Sequence, residues 1–396
     1  MPSLVPVPHP EAMETTGRHA AWRRWACLAI PVALAGGLSA LATTRALAAD
    51  PGNGQGACRR DLEFIPGFLL ENDTGAPEHI RRLGGPALDK AMAEARDRIA
   101  ADPTGAECRS ILKSYVRAWR PGHIDVSPAP GKTPGDAATL PAEPLARPGL
   151  ASLRWLSDKT VLVTLPTFDP AEREHLEALL VSQRRRLDRT PNWILDIRDN
   201  DGGSDSTYAS LLEAIMVSPR MEVGAEFLST PANIANTAGL CEVYGDASCA
   251  AAVAPLVDAM RGARPGDYVL PPGRKEAASV ERDHRAPREA PRRVGVMIDE
   301  ACASSCEQFV LSVRQSYNVK LFGRRTAGSL DYSNLRPQVL PSGERLLWYA
   351  TSRSLRLPYL PVDGAGIPPD IYFPPAAAAE DPGAEIERVR AWLEAP

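Results

Sequence analysis

Hydrophobic and polar positions follow two different patterns along the chain, and the change comes near residue 150. Between residues 57 and 120, apolar residues recur at three- and four-residue spacings in PALDKAMAEARDRIAA and ECRSILKSYVRAW, which predicts amphipathic helices. From residue 151 onward, short apolar runs such as TVLVTLPTF, NWILDIR and RRVGVMID predict buried strands. Helical patterns separate these runs, so the sequence predicts an α/β core behind an N-terminal helical subdomain.

The remaining elements follow from the same pattern. Helices are predicted for DPAEREHLEALLVSQRRRLD, TYASLLEAIMV, the segment after EACASSCEQF, and the tail AEIERVRAWLEA. VKLFG is a further predicted strand, and RPQVL–PSGE–RLLWYATSRS is a predicted hairpin. Residues 232–290 are irregular and charged and receive no assigned element. The predicted organisation is a helical subdomain at 49–125, a Pro-rich linker at 126–150, a core at 151–375 and a C-terminal helix at 376–396.

The first 48 residues have the pattern of a signal peptide. Arg18, Arg23 and Arg24 precede the apolar run ACLAIPVALAGGLSALA, and Ala46 and Ala48 form an A-x-A cleavage site. Cleavage after Ala48 predicts an exported protein, periplasmic or secreted. A retained signal anchor is the alternative, although the run is short for a membrane span and contains proline and glycine.

Export changes how the cysteines are interpreted. Cys27 leaves with the leader, and six cysteines remain. An even number of cysteines in an oxidising compartment favours disulfides. Local pairing gives Cys58–Cys108, Cys241–Cys249 and Cys302–Cys306. Two small buried thiols are the alternative for the last pair. Metal binding is disfavoured because no C-x-x-C pair occurs and histidines are few.

The composition and charge of the chain mainly argue against certain classes of partner. The chain is 44% hydrophobic and 24% charged, with a net charge of −4, which is ordinary for a globular protein with a sizeable core. This charge gives no reason to expect nucleic acid or, once the leader is removed, a membrane surface as a partner.

Two strand–turn–helix segments could carry chemistry. VMIDEACASSCEQF would expose a serine hydroxyl near a helix N-terminus, where backbone N–H groups favour negative charge. DIRDNDGGS has the same form, and its paired glycines could present N–H groups to an oxyanion. The same turns would also serve as plain corners of an α/β fold.

A serine nucleophile needs a base. Behind the leader the histidines are His79, His123, His175 and His284. His123 differs from the others because it lies in a Gly-His turn, RPGHIDV, between the helical subdomain and residues of strand type. A purely structural histidine is equally compatible with this local sequence.

Several segments together resemble one family. ILDIRDNDGGS is similar to the LDLRxNxGG signature of the C-terminal processing peptidases, family S41, and VGVMIDEACASSCEQF to that family's strand and SASASE turn. KLFGRRTAGS resembles its xxGexTxG stretch and VDGAGIPPDIYF its GIxPDI ending, in the same order over residues 150 to 375. SYVRAWRPGHIDV resembles the DGHt turn of the His-containing, tricorn-like branch.

The resemblance implies a fold and a set of roles. The fold is a ClpP/crotonase-like S41 protease core with no PDZ domain. Glu307 corresponds to the Glu of SASASE, which makes Ser304 the nucleophile. The N–H of Ser305 completes an oxyanion hole with that of Gly202 or Gly203. A one-residue slip would instead make Ser305 the nucleophile.

The branch of the family that the sequence resembles determines which residue is expected to act as the general base. The lysine that the processing proteases carry 25 residues after the serine is replaced by Ser329, so a Ser–Lys dyad is not expected. His123 fits the histidine of the tricorn-like branch, and Asp363 stands where that branch has a glutamate. An Asp can orient a His in the same way. The resemblance implies no metal and no cofactor.

The sequence therefore predicts an exported serine endopeptidase that hydrolyses peptide bonds of a peptide or protein by a Ser-His-Asp mechanism. Its activity is expected to fall in acid, near about pH 6.5 for an ordinary histidine. A catalytically inactive peptide- or lipid-binding protein on the same scaffold, similar to interphotoreceptor retinoid-binding protein, is the alternative. A thiol oxidoreductase based on Cys302 and Cys306 is a third and weaker hypothesis.

Overall fold

The structure, a computed structural model, describes residues 54–130, 149–241, 247–274, 278–281, 291–375 and 383–396. All of these belong to one compact unit, Asp50–Pro396. The predicted signal peptide, most of the predicted linker (131–148) and His284 lie outside the described residues. No helix in the described part of the chain has both the length and the apolar character of a membrane span.

The described chain begins with four consecutive helices, and strands and helices are interspersed after them. The helices are α1 (Gly54–Asn72), α2 (Ala76–Leu83), α3 (Gly85–Ala100), α4 (Gly105–Trp119), α5 (Arg173–Ser182), α6 (Arg184–Leu187), α7 (Ala209–Ile215), α8 (Pro231–Ala238), α9 (Ala247–Gly262), α10 (Ser305–Val313) and α11 (Gly383–Glu394). The strands are β1 (Asp125–Pro128), β2 (Ser152–Trp155), β3 (Thr160–Thr164), β4 (Asn192–Asp196), β5 (Arg220–Val223), β6 (Ala225–Leu228), β7 (Tyr268–Val269), β8 (Ala278–Glu281), β9 (Arg293–Ile298), β10 (Val319–Gly323), β11 (Tyr332–Val339), β12 (Arg345–Ser354) and β13 (Ile371–Tyr372).

The main sheet has the strand order β13-β10-β9-β4-β3-β2. Its strands run parallel except for the antiparallel pair β2 and β3. Helices α5, α7 and α10 cover one face and α11 covers the other, which explains why β3, β4 and β9 are almost continuously apolar. Since β4 and β9 are parallel neighbours, the turns that follow them lie at the same edge of the sheet. These are the two turns on which the sequence places its candidate chemistry.

A second sheet joins the N-terminal helices to the rest of the molecule. Its order is β1-β12-β6-β7, with β11 also paired to β12. Helices α1, α3 and α4 pack their apolar faces against this sheet, where Leu62 and Leu112 share a core with Leu347 and Tyr349. The pairing of β1 with β12 carries the His123 turn, which lies between α4 and β1, onto the core. Strands β5 and β8 form a separate antiparallel pair.

An aromatic cluster fixes helix α10. Phe309 lies 5.4 Å from Phe168 and 5.1 Å from Tyr208 between ring centroids, and all three rings are buried. Aromatic contacts of this kind contribute roughly 0.5–1.5 kcal/mol beyond the burial of their area. The cluster therefore holds the middle of α10 against the segment that follows β3 and the start of α7.

The α/β fold class and the named strands, the hairpin and the closing helix are confirmed. Residues 126–128, predicted as the start of the linker, instead form strand β1 and pair with β12. The prediction that residues 232–290 are irregular is also wrong in part, because α8, α9, β7 and β8 lie there. The helix predicted for 169–188 divides into a short 3-10 turn at Pro170–Glu172 followed by α5 and α6. Where one domain ends and the next begins stays a prediction.

Candidate active site

Ser304 occupies a sharp turn between β9 and α10. Its backbone angles are φ 58° and ψ −123°, a region that costs a residue other than glycine about 1–3 kcal/mol. The N–H of Ser304 donates to the carbonyl of Ser329 at 2.9 Å, which helps to hold this conformation. The side chain is half-buried, and none of the described residues hydrogen-bonds its hydroxyl.

Ser305 has a different environment. It is buried, and its hydroxyl donates to the carbonyl of Gly203 at 3.1 Å. Because the Ser305 hydroxyl is engaged in this way, the geometry favours Ser304 over Ser305 as the available nucleophile.

Two glycines after β4 approach the serine turn closely. A Cβ atom on Gly202 would lie 2.8 Å from the Cβ of Ser304, and one on Gly203 would lie 2.1 Å from the carbonyl oxygen of Phe168. Both glycines also have positive φ angles, 106° and 137°, so a side chain is excluded at each position for two reasons.

Only one of these glycines has a free N–H group. Gly202 donates to the Oδ1 atom of Asn200 at 2.9 Å. The described residues offer no acceptor to the N–H groups of Gly203 and Ser305. Of the two glycine donors that the sequence left open, the structure therefore favours Gly203.

Glu307 fixes the loop that runs beside the nucleophile. Its carboxylate accepts hydrogen bonds from the Thr326 hydroxyl, from Gly328 N at 2.8 Å and from Ser329 N at 2.7 Å. Burial raises the pKa of Glu307, and these three donors oppose that rise. The Glu307 carboxylate thereby places the Ser329 carbonyl that accepts the N–H of Ser304.

The His123 turn also contacts Ser329. A Cβ on Gly122 would lie 3.1 Å from the Cβ of Ser329, so this turn and the nucleophile turn flank one residue. The guanidinium of Arg120 donates to the carbonyls of Gly122 and His123 and forms a fully buried, two-pronged ion pair with Asp73. Arg120 thus fixes a histidine whose φ angle is 44°.

The His123 imidazole lies in an environment that disfavours charge. Burial, followed by the nearby Arg120 cation, lowers the pKa of His123 to about 4, while the backbone of Tyr332 and the charge of Asp73 act in the opposite direction. Its Nδ1 atom is buried and has no hydrogen-bond partner in the described structure. The imidazole is therefore neutral near pH 7, as a general base must be.

Asp363 contacts the residues that directly follow Ser329. Its Oδ1 atom accepts hydrogen bonds from Leu330 N and Asp331 N, both at 2.6 Å, whereas its buried Oδ2 atom has no partner among the described residues. Burial raises the pKa of Asp363 to about 6; the two backbone hydrogen bonds oppose this rise, and the Asp331 charge adds to it.

The predicted residues are thus brought together to different degrees. Ser304, Gly203 and Ser305 form one contiguous group, and His123 and Asp363 approach the loop beside it. Within the described residues no hydrogen bond joins His123 to Ser304 or to Asp363. One buried imidazole nitrogen and one buried carboxylate oxygen, chemically complementary, are left unpartnered.

The three predicted disulfides are present: Cys58–Cys108, Cys241–Cys249 and Cys302–Cys306. Cys302 and Cys306 are wholly buried, with no exposed surface. Thiol–disulfide exchange requires access to a sulfur atom, so this pair does not fit the oxidoreductase hypothesis. No group of three or more His, Cys, Asp or Glu side chains in the described part of the chain could hold a metal ion.

Sequence reasoning missed three supporting residues. Arg120 stands two positions before Gly122 in RPGH, and a buried arginine beside a catalytic turn could have been suspected there. Asn200 also had a local signal, since it directly precedes the glycine loop that it holds. Asp73, 47 residues before Arg120, had none.

An available serine at a strained strand–helix turn, with one free N–H group in its own turn and another in the neighbouring turn, is typical of serine hydrolases. The sequence model of peptidase family S41 matches residues 159–373, more than half of the chain, and the chain belongs to this family. No curated protein matches the chain.

Solved structures share the fold. A proposed peptidase from Parabacteroides merdae ATCC 43184 is 16% identical, with a TM-score of 0.53, and the match covers 85% of this chain and 97% of that one. Mature CPAF in complex with lactacystin is 12% identical, with a TM-score of 0.55 and the same coverage of both chains. These likenesses show that the fold is shared over 85% of this chain.

Proposed function

We propose that this protein is an exported serine endopeptidase with Ser304 as nucleophile, His123 as general base and Asp363 as the group that orients the imidazole. Membership of family S41 supports peptidase activity in general. The observation that carries the specific assignment is the strained turn at Ser304, with a half-buried hydroxyl and the free N–H groups of Gly203 and Ser305 beside it.

The reaction is acyl transfer to Ser304. The Ser304 hydroxyl attacks a peptide carbonyl carbon while Nε2 of His123 takes its proton. The N–H groups of Gly203 and Ser305 stabilise the oxyanion of the tetrahedral intermediate, each by roughly 3–4 kcal/mol. The imidazolium then protonates the leaving amine, and water hydrolyses the acyl-enzyme by the same steps in reverse order.

The unpartnered atoms support the roles of His123 and Asp363. A buried polar atom without a partner costs about 1–3 kcal/mol, so Nδ1–H of His123 and Oδ2 of Asp363 would both gain from pairing with each other. Catalytic hydrogen bonds are often long or unformed without substrate and tighten when it binds. We infer that substrate binding brings these two atoms together.

Export is part of the proposal and rests on two observations. The N-terminal sequence has the pattern of a signal peptide, and the chain forms three disulfides. Stable disulfides are expected in oxidising compartments. The leader should therefore be absent from the mature protein, which N-terminal sequencing of material recovered from the host's exported fraction would test.

Hydrolysis of a peptide library by purified variants tests the enzymatic assignment. The wild type should cleave peptides, and Ser304→Ala should lower kcat/KM by at least a factor of about 10³, since the residual rate would come only from binding and the oxyanion hole. Ser305→Ala, the matched control, keeps its backbone N–H and should retain most of the activity. Equal activity in Ser304→Ala and the wild type would exclude the assignment. Binding of peptides without any cleavage by the wild type would favour the binding-protein alternative.

A further inference from the structure

The disulfide Cys302–Cys306 spans the proposed nucleophile symmetrically. Ser304 lies two residues from each cysteine, and the bridge closes a sequence separation of only 4 residues. Cys302 precedes the turn and Cys306 lies in the first turn of α10. The bridge is therefore a covalent staple across the conformationally strained position.

The strained serine needs such support. Hydrogen bonds from Ala327 N to the Cys302 carbonyl at 2.9 Å and from Cys306 N to the Ala303 carbonyl at 3.0 Å hold the two ends of the turn. Single hydrogen bonds also hold the peptide units around Ser304: Ser304 N donates to the Ser329 carbonyl at 2.9 Å, and Gln308 N donates to the Ser304 carbonyl at 3.0 Å. Each such bond contributes about 0.5–1.5 kcal/mol, so the disulfide adds a covalent restraint to a turn that is otherwise held by individually weak contacts. Because the Ser304 hydroxyl and the Ser305 N–H must point at the same substrate carbonyl, a small rotation there would misplace both.

We propose that the Cys302–Cys306 disulfide is a positioning device for the nucleophile, so that full reactivity of Ser304 depends on oxidation of this pair. The proposal rests on the proposed function. Forming the bridge removes two protons and two electrons from the two thiols, and a small-molecule disulfide such as oxidised glutathione would accept them as it is reduced to two thiols.

The burial of Cys302 and Cys306 determines at which stage oxidation of the pair can affect the reactivity of Ser304. Both cysteines have no exposed surface in the folded protein, so a reductant in solution has no direct access to the bridge. Reactivity is thus set when the turn folds and the pair oxidises. A chain that folds in a reducing compartment would have a poorly positioned Ser304, and export to an oxidising compartment would complete the site.

The test compares two double variants that each remove one short disulfide. Cys302→Ala with Cys306→Ala deletes the staple, and Cys241→Ala with Cys249→Ala, whose bridge spans 8 residues, is the matched control. The readouts are the rate of labelling by a fluorophosphonate probe, and kcat and KM separately, at a temperature at which circular dichroism shows both variants folded.

The staple variant should be labelled about 10–100-fold more slowly, with a lower kcat and a nearly unchanged KM, because a misplacement of about 1 Å can cost a factor of 10². The control should stay within about twofold of the wild type. Equal labelling rates in the staple variant and the control would overturn the proposal.

A second measurement covers the case in which the staple variant fails to fold. Wild-type protein is treated with increasing dithiothreitol in mild denaturant, returned to native buffer with its thiols still reduced, and then labelled. Mass spectrometry of the peptides quantifies the reduction of each bridge. Labelling should fall in proportion to the reduction of Cys302–Cys306 and not of Cys241–Cys249, and full labelling of protein in which the staple is open would contradict the proposal. A wild type that is never labelled at Ser304 would instead refute the proposed function.

Discussion

At the residue scale, the serine and the histidine of the proposed site both have backbone conformations that are unusual for their type. Ser304 has φ 58° and His123 has φ 44°. Such conformations persist only where neighbouring contacts over-determine them, and they are concentrated at functional sites. Here those contacts are the Ser329 carbonyl for Ser304 and the Arg120 guanidinium for His123.

The pH dependence of activity tests the environment of His123 and Asp363. Activity requires a neutral imidazole and an ionised carboxylate. The pKa of His123 is lowered to about 4 and that of Asp363 is raised to about 6. As the pH falls, Asp363 is therefore protonated first, and the imidazole loses the acceptor that orients it. We expect kcat/KM to fall with a midpoint near 6 in the wild type.

The control for this prediction is Asp363→Asn, which has no carboxylate to titrate. Its weaker activity should persist to lower pH, toward the pKa of about 4 of His123. Midpoints of 6.5 or higher in both proteins, as for an ordinary exposed histidine, would contradict the assignment.

The ion pair behind the histidine is a second residue-scale test. Arg120→Met would leave Asp73 as a buried, uncompensated charge and remove the donors to the Gly122 and His123 carbonyls. Breaking one partner of a buried pair costs about 3–5 kcal/mol, so we expect a loss of this size in the free energy of unfolding, measured with urea. Lys90→Met removes an exposed pair with Glu94 and should change it by less than about 0.5 kcal/mol. Similar losses in the free energy of unfolding in both variants would show that the buried Arg120–Asp73 pair stabilises the protein no more than an exposed pair does.

At the scale of elements, the site lies at the ends of the parallel strands β4 and β9, beside the loop between β10 and β11. The turns after β4 and β9 bring the glycine pair to the serine, and the loop between β10 and β11 supplies Ser329. Helix α10 links these parts, because its Glu307 side chain accepts three hydrogen bonds from that loop.

Glu307→Gln tests this link. The amide nitrogen of a glutamine would face backbone N–H donors, so at least one buried donor would lose its acceptor. We expect a loss of roughly 3 kcal/mol in the free energy of unfolding together with a lower kcat, since the Ser329 carbonyl would no longer be held against Ser304 N. Glu300→Gln, at an exposed acidic position that pairs with Arg324, is the control and should leave both quantities nearly unchanged. A variant at Glu307 with unaltered stability and kcat would refute the link.

Most elements could be predicted because their apolar patterns are local. The strands β3, β4 and β9, the β11–β12 hairpin and the α11 helix were all visible as apolar runs or periodic helices. The contribution of β1 was missed because its pairing with β12 joins residues more than 200 positions apart. Helices α8 and α9 were missed because the strong charge of the wider segment masked their weaker periodicity.

The site was predictable only as far as short motifs reach. The serine turn and the glycine pair are each a short, continuous motif, so the role of each could be predicted from the sequence. Asp73 supports the site through Arg120, a contact that no local pattern marks. Asn200 stands just before the glycine pair, but its role as acceptor for the Gly202 N–H was not identified. Which of Gly202 and Gly203 has a free N–H could not be predicted from sequence either, because it depends on which of the two donates to Asn200.

At the scale of the whole molecule, the N-terminal helices and the core form one structure. Helices α1 and α4 share a core with strand β12, and Cys58–Cys108 ties α1 to α4 across a separation of 50 residues. The His123 turn is therefore anchored in the part of the chain that precedes the S41 family match at 159–373.

The two disulfides Cys58–Cys108 and Cys302–Cys306 should differ in what they stabilise. Restriction of the unfolded chain predicts a contribution of about 4 kcal/mol for a loop of 50 residues and about 2 kcal/mol for the short staple. Replacing Cys58 and Cys108 with alanine should thus lower the free energy of unfolding by more than replacing Cys302 and Cys306, as measured by urea unfolding without reductant. The opposite order would show that loop closure does not govern these bridges.

The most direct test of the central claim is to identify the residue that a fluorophosphonate probe modifies. The wild-type protein is labelled near pH 7.5, digested, and the adduct is located by tandem mass spectrometry. We expect one adduct, on Ser304, and a strongly slowed reaction in His123→Ala. An adduct on Ser305 or on a serine outside this turn, or labelling at an undiminished rate without His123, would contradict the claim.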